Sequence, residues 1–142
     1  MNIRKPTDYT AMFAALDALM AAQLPQMELY REIGRVVSRR SEKGAAVAAS
    51  EYLQATYPTA DGFSPRNVRR MRDFYRMYGN TPELLAEAMR LNWTQNVVIM
   101  EAGLTMDERC WYIRKAAESG LSKTELLRMI EGAEHSEIAL GE

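Results

Sequence analysis

Gly62-Phe63-Ser64-Pro65-Arg66-Asn67-Val68-Arg69-Arg70-Met71-Arg72-Asp73-Phe74-Tyr75-Arg76-Met77-Tyr78 is the stretch whose reading decides the fold. Serine followed by proline is a strong helix start. The hydroxyl accepts a bond from an otherwise orphaned first-turn amide, and proline presets the first φ. Gly79-Asn80 supplies the stop. At roughly 100° per residue, Val68, Met71, Tyr75 and Tyr78 fall on one face, with Phe74 at its edge. Arg66, Arg69, Arg70 and Arg76 project from the opposite side with Asp73, and Arg72 flanks the packing face. One side of this helix is committed to a core, so its arginines face solvent or a ligand.

The same period extends in both directions, and strand signals are nearly absent. Asp8 to about Ala22 carries Met12, Leu16, Leu19 and Met20 at helical spacing. Pro25 suits the first turn of a helix with Met27, Tyr30, Ile33 and Val37 in one stripe. Arg35, Arg39 and Arg40 crowd its carboxyl end, where they complement the helix dipole; Arg39 and Arg40 equally suit contacts to phosphates. Ala45 to Tyr57 reads as a small-residue helix, with Val47, Tyr52 and Leu53 as core contacts. Beyond the arginine helix, Thr81-Pro82-Glu83 opens another, and Trp93 to about Met100 is apolar enough to be buried. Thr105-Met106-Asp107-Glu108 and Ser122-Lys123-Thr124-Glu125 are capping boxes. They start helices bearing Trp111, Ile113 and Ala117, then Leu126, Leu127 and Ile130, with Trp93, Trp111 and Tyr112 read as packing residues. The prediction is an all-α protein, a compact bundle of about eight helices. Residues 1–26 form a helix packing on a main domain over 27–131, and 132–142 an acidic, frayed tail.

Composition narrows the chemistry. The 142 residues are 47% hydrophobic, enough for a core, and 26% charged. No run approaches the roughly 20 apolar residues that span a bilayer, so no membrane partner is expected and the cytoplasm is the default location. One cysteine, Cys110, excludes an intrachain disulfide among these residues, and one histidine, His135, reads as a solvated tail residue. A Cys/His zinc site needs about four ligands. No metal site, cofactor or catalytic constellation is therefore expected.

The net charge of −1 conceals an uneven distribution. Between Arg31 and Arg76 stand ten Lys/Arg against five acids, a net of +5, and the rest of the chain carries −6. Such asymmetry is the electrostatic footprint of a polyanion-binding surface. The helix over 45–57, a turn with Asp61-Gly62 and the capped basic helix together read as a helix-turn-helix-like unit over 45–78. In that reading Arg66, Asn67, Arg69 and Arg70 reach base edges, where arginine pairs with guanine and asparagine with adenine. Arg72, Arg76 and Lys43 then lie near phosphates.

Several ordered motifs resemble one known family. Leu29-Tyr30-Arg31-Glu32-Ile33-Gly34 is similar to the "LYWEIG" start of the amino-terminal domain of YhcG-type proteins (domain of unknown function 1016). Gly62-Phe63-Ser64-Pro65-Arg66-Asn67-Val68 resembles its "GFS-x-RN-L" segment, and Met71-Arg72-Asp73-Phe74-Tyr75 its "MRxFY". Trp93-Thr94-Gln95 stands where the family has Trp-Ser-His. Glu108-Arg109-Cys110-Trp111-Tyr112 and Gly120-Leu121-Ser122-Lys123-Thr124-Glu125-Leu126 match two later stretches, so the likeness covers about Met27 to Ile130. The resemblance implies an all-helical, DNA-binding domain that normally precedes a PD-(D/E)XK nuclease domain. The chain stops where that nuclease would begin, so the expectation is a stand-alone, non-catalytic module. Gln95 in place of histidine keeps hydrogen bonding but loses titration.

Two functions compete at this level. The first is binding of double-stranded DNA. The second is a protein-interaction or adaptor role for a separately encoded nuclease or restriction-modification partner, using the region from Met100 to Ile130. Helix-turn-helix proteins often act as dimers, which leaves a homodimer open without identifying a seam.

Overall fold

In the computed structural model, which describes residues 7–136, every regular element is a helix. Chain order is α1 (Thr10–Ala21), α2 (Gln26–Ser38), α3 (Gly44–Thr56), α4 (Pro65–Tyr78), α5 (Pro82–Ala88), α6 (Trp93–Glu101), α7 (Met106–Ser119) and α8 (Lys123–Glu131). One further helical turn covers 134–136, and no strand occurs among the described residues. The all-α reading and the count of about eight helices are both met. No described helix is long and apolar enough to cross a membrane. The chain divides into two compact units, Met1–Arg76 and Met77–Glu142, with the boundary inside α4. Within the first unit α1 packs with α2 and α3.

The first unit is built on close helix approach. Met12 and Leu16 of α1, Tyr30, Ile33, Val36 and Val37 of α2, and Ala45, Ala46, Ala49 and Leu53 of α3 are buried. The alanines let α3 lie close to its neighbours, and aromatic contacts tie it to α1: Phe13 stacks on Tyr52 with ring centroids 4.1 Å apart. Beside that stack, the Tyr52 and Tyr57 hydroxyls both donate to the Asp17 carboxylate, at 2.6 and 2.7 Å. Those two bonds hold the Asp17 carboxyl below its ordinary value and push Tyr57 up to about 12. Where α2 meets α4, the backbones touch. A Cβ placed on Gly34 would stand 2.1 Å from the Met71 carbonyl oxygen, so this crossing admits no side chain.

The second unit is organised by its caps. Thr105 and Ser122 form the predicted capping boxes with Glu108 and Glu125. Asn92 and Gln95 form a third at the start of α6, which the sequence reading did not anticipate. Gly120 closes α7 in the left-handed conformation, φ 60°. Tyr112, Ile113, Ala116, Leu126 and Ile99 are fully or almost fully buried, and Trp93 is buried as expected.

The expectation for His135 is corrected. Its Nδ1 lies 2.7 Å from the Tyr112 hydroxyl and its Nε2 2.6 Å from Glu108 Oε2, and only 16% of the side chain is exposed. The turn over 134–136 is therefore attached to α7, not frayed. Residues 137–142 of the predicted acidic tail lie outside the described residues.

Candidate nucleic-acid interface

The start of α4 is fixed by a corner that the family-like motifs build together. Gly62 has φ +93°, and a Cβ there would lie 2.1 Å from the Tyr30 hydroxyl oxygen. Only glycine adopts this backbone without strain and leaves the ring its place. Phe63 packs edge-on against Tyr30, centroids 6.5 Å apart, and its carbonyl accepts a buried bond from Ser50 Oγ at 2.6 Å. Ser64 Oγ then accepts from the Asn67 amide at 3.2 Å, the cap that Ser-Pro predicted. Burial pushes the Tyr30 hydroxyl up from its ordinary value.

Asn67 belongs to this corner. Its Nδ2 donates to the Gly62 carbonyl at 2.6 Å, and its side chain also bonds the Tyr30 hydroxyl. The carboxamide that sequence reasoning aimed at an adenine edge is thus already engaged inside the chain. Its geometry is that of a brace holding the first turn of α4. The missed signal was positional: a glycine five residues before an asparagine, straddling a helix cap.

The arginines divide into classes once placed. Arg66, Arg69 and Arg76 are exposed, whereas Arg70 and Arg72 are half-buried. Val68, Met71 and Phe74 are fully buried, so α4 does separate a packing side from an arginine side as its phase predicts. Arg69 makes no ion pair or hydrogen bond among the described residues. Arg72 donates through Nε to Asp73 at 3.0 Å, with 17% of its side chain exposed. Arg76 donates to the Arg40 carbonyl at 3.1 Å, bringing the end of α4 to the α2–α3 turn. There Arg40 pairs with Glu42 at 2.7 Å and covers the Tyr9 ring at 4.9 Å. Lys43 is exposed at the N-cap position of α3. The expected contacts Arg76 and Lys43 therefore flank one turn, while Arg66 and Arg69 occupy the other end of α4.

A third arginine group surrounds Glu32, a clustering that the sequence does not reveal. Glu32 lies between Arg31 and Arg35 and accepts from both, at 3.1 and 2.8 Å. Burial alone would raise the Glu32 carboxyl, but the two guanidinium groups outweigh it and hold it below the ordinary value.

The loop between α3 and α4 spans residues 57–64. That is longer than the three- to four-residue turn of the tightest helix-turn-helix units. In the second unit, Gln95 explains itself structurally. Its Oε1 accepts from the Asn92 amide and its Nε2 donates to the Leu121 carbonyl. An open depression of about 630 Å³ lies over one face of α7, lined by Asp107, Cys110, Trp111, Arg114, Lys115 and Glu118. Among the described residues, no group of three or more His, Cys, Asp or Glu is placed to hold a metal ion.

The family model described as DUF1016 N-terminal domain matches residues 13–137. No curated protein and no solved structure gives a significant match.

Proposed function

The chain belongs to the DUF1016 N-terminal domain family, and from that premise we propose that it is a non-catalytic module that binds double-stranded DNA. The observation that carries this reading is the division of α4. Its packing side is fully buried at Val68 and Met71, while Arg66, Arg69 and Arg76 stand exposed on the other side. A rigid helix that presents guanidinium groups from its first turns suits a major groove, which admits one α-helix. In this reading α3 and α4 act as a helix-turn-helix with a lengthened connection. Arg66 and Arg69 reach base edges, and Arg70, Arg72, Arg76 and Lys43 contribute charge towards phosphates. Asn67 positions the first turn without reading a base.

The test uses two exposed positions near the start of α4. Arg66→Ala/Arg69→Ala should lower the melting temperature by no more than about 4–8 °C, because exposed substitutions cost under about 0.5 kcal/mol each. It should weaken duplex binding at least tenfold, since a good bidentate base contact is worth about 1–3 kcal/mol. Unchanged affinity would remove α4 from the interface.

A protein-partner reading has one observation in its favour. Trp111 is only half-buried and lines the depression on α7 beside Cys110. Partner capture that is lost with Trp111→Ala and indifferent to duplex DNA would favour it.

A further inference from the structure

We infer that α2 supplies a second row of phosphate contacts, Arg31, Arg35 and Arg39, with Glu32 holding the first two in place. The inference rests on the duplex-binding reading and adds to it a helix that reading does not use. Spacing comes first. The three arginines recur every four residues, so they share one face and rise about 6 Å per step. Phase comes second. With Gly34 directed at the Met71 backbone of α4, the buried Tyr30, Ile33, Val36 and Val37 lie to one side of that line. Arg31, Arg35 and Arg39 lie on the other. They are partly or fully exposed: 31% and 36% of the Arg31 and Arg35 side chains are accessible, and Arg39 is exposed.

Helix-dipole complementation does not account for this row. That effect fades within the last turn, and Arg31 stands two turns before the end of α2 at Ser38. Nor does packing, since the core face of α2 is already complete. Like charges four apart on a helix repel, and a carboxylate between Arg31 and Arg35 relieves that cost. Glu32 accepts from Nε of Arg31, and from Nε and Nη2 of Arg35. The remaining N–H groups of both guanidiniums stay available for a further acceptor, with the planes fixed in advance. Arg39 has no ion pair among the described residues. A fixed row of net positive charge along about 12 Å fits the backbone of a polyanion, and phosphate contacts outside the groove-reading helix set register on a duplex.

The test compares salt slopes on one labelled duplex for the full chain. Each phosphate neutralised contributes about 0.9 to the slope of log K against log salt. Arg31→Gln/Arg35→Gln/Arg39→Gln should make the slope shallower by about 2 to 3, with the fold confirmed by an unchanged circular dichroism spectrum. Glu32→Gln should keep the wild-type slope, because all three arginines remain, yet weaken binding by about two- to tenfold, because Arg31 and Arg35 are no longer held. A merely structural role for the cluster would leave the slope of the folded triple variant unchanged. If wild type shows a steep slope and the triple variant matches it, the α2 row is refuted and the α4 reading stands. If wild type shows no slope, both fail.

Discussion

Gly34→Ala removes no contact and adds one methyl group, yet it should destabilise the first unit severely. The added Cβ would lie 2.1 Å from the Met71 carbonyl oxygen, 2.7 Å from its carbon and 3.3 Å from Tyr75 Cβ. Relaxed carbon–oxygen contacts sit at about 3.3–3.6 Å, so α2 and α4 would have to part by about 1 Å. The obstacle is backbone, which cannot swing aside as a side-chain end can. Overpacking costs about 1–3 kcal/mol, and this case belongs at the upper end. Alanine returns about 1 kcal/mol of helix propensity. The net is about 2 kcal/mol, or about 8–16 °C in the melting temperature of a unit this size. Gly44→Ala is the matched control. It is the same substitution in a helix of the same unit, and its Cβ would meet only the Tyr9 hydroxyl oxygen, at 3.5 Å. That variant should be neutral or stabilised by about 0.5 kcal/mol. Thermal melts of both, followed by far-UV circular dichroism, decide the matter. Equal melting temperatures would refute the claim that α2 and α4 touch backbone to backbone.

Other consequences are equally concrete. Asn67→Ala should cost about 1–3 kcal/mol by leaving the Gly62 carbonyl without its bond; an unchanged melting temperature would return Asn67 to the list of base readers. The Asp17 carboxyl is depressed on folding, so its contribution is present above the ordinary carboxylate value near 3.8 and is lost as pH falls through the folded value. Tyr57 is raised to about 12, so its contribution holds below about 10 and is lost as pH rises towards 12. Melting temperature against pH should fall at both ends in wild type, and Asp17→Asn should flatten both falls. Tyr112→Phe removes the hydroxyl that meets His135 Nδ1 and the Met129 carbonyl. Amide exchange at 134–136 should accelerate while α2 and α4 keep their protection; no change at that turn would show that Tyr112 does not hold it.

The parts legible in the sequence are those that local chemistry controls. Ser64-Pro65, Thr105–Glu108 and Ser122–Glu125 satisfy orphan amides with neighbours three residues away, so their helices start where the residues say. The face of α4 followed from its period. What stayed hidden depends on partners distant in sequence. Gly34 and Gly62 are restricted by Met71 and Tyr30, dozens of positions away, and nothing beside them announces it. Asn67 looked like a recognition residue because it follows Arg66 on a basic helix, and only the Gly62 carbonyl shows otherwise. His135 stands in a polar, acidic stretch, which suggested solvent, yet α7 brings Tyr112 and Glu108 to both its ring nitrogens. Motif likeness therefore located the corner that holds α4 in place, and the residues left exposed by that corner are the ones proposed to meet DNA.

The salt dependence of wild-type binding to a labelled duplex tests that proposal most directly. If α4 and its flanks neutralise about five phosphates, log K should fall against log salt with a slope of about −4.5 from that surface alone, steeper by about 2 to 3 with the α2 row, and so at least about 500-fold weaker at 200 mM than at 50 mM. A slope indistinguishable from zero, or no binding at low salt, would contradict the assignment of this surface to DNA.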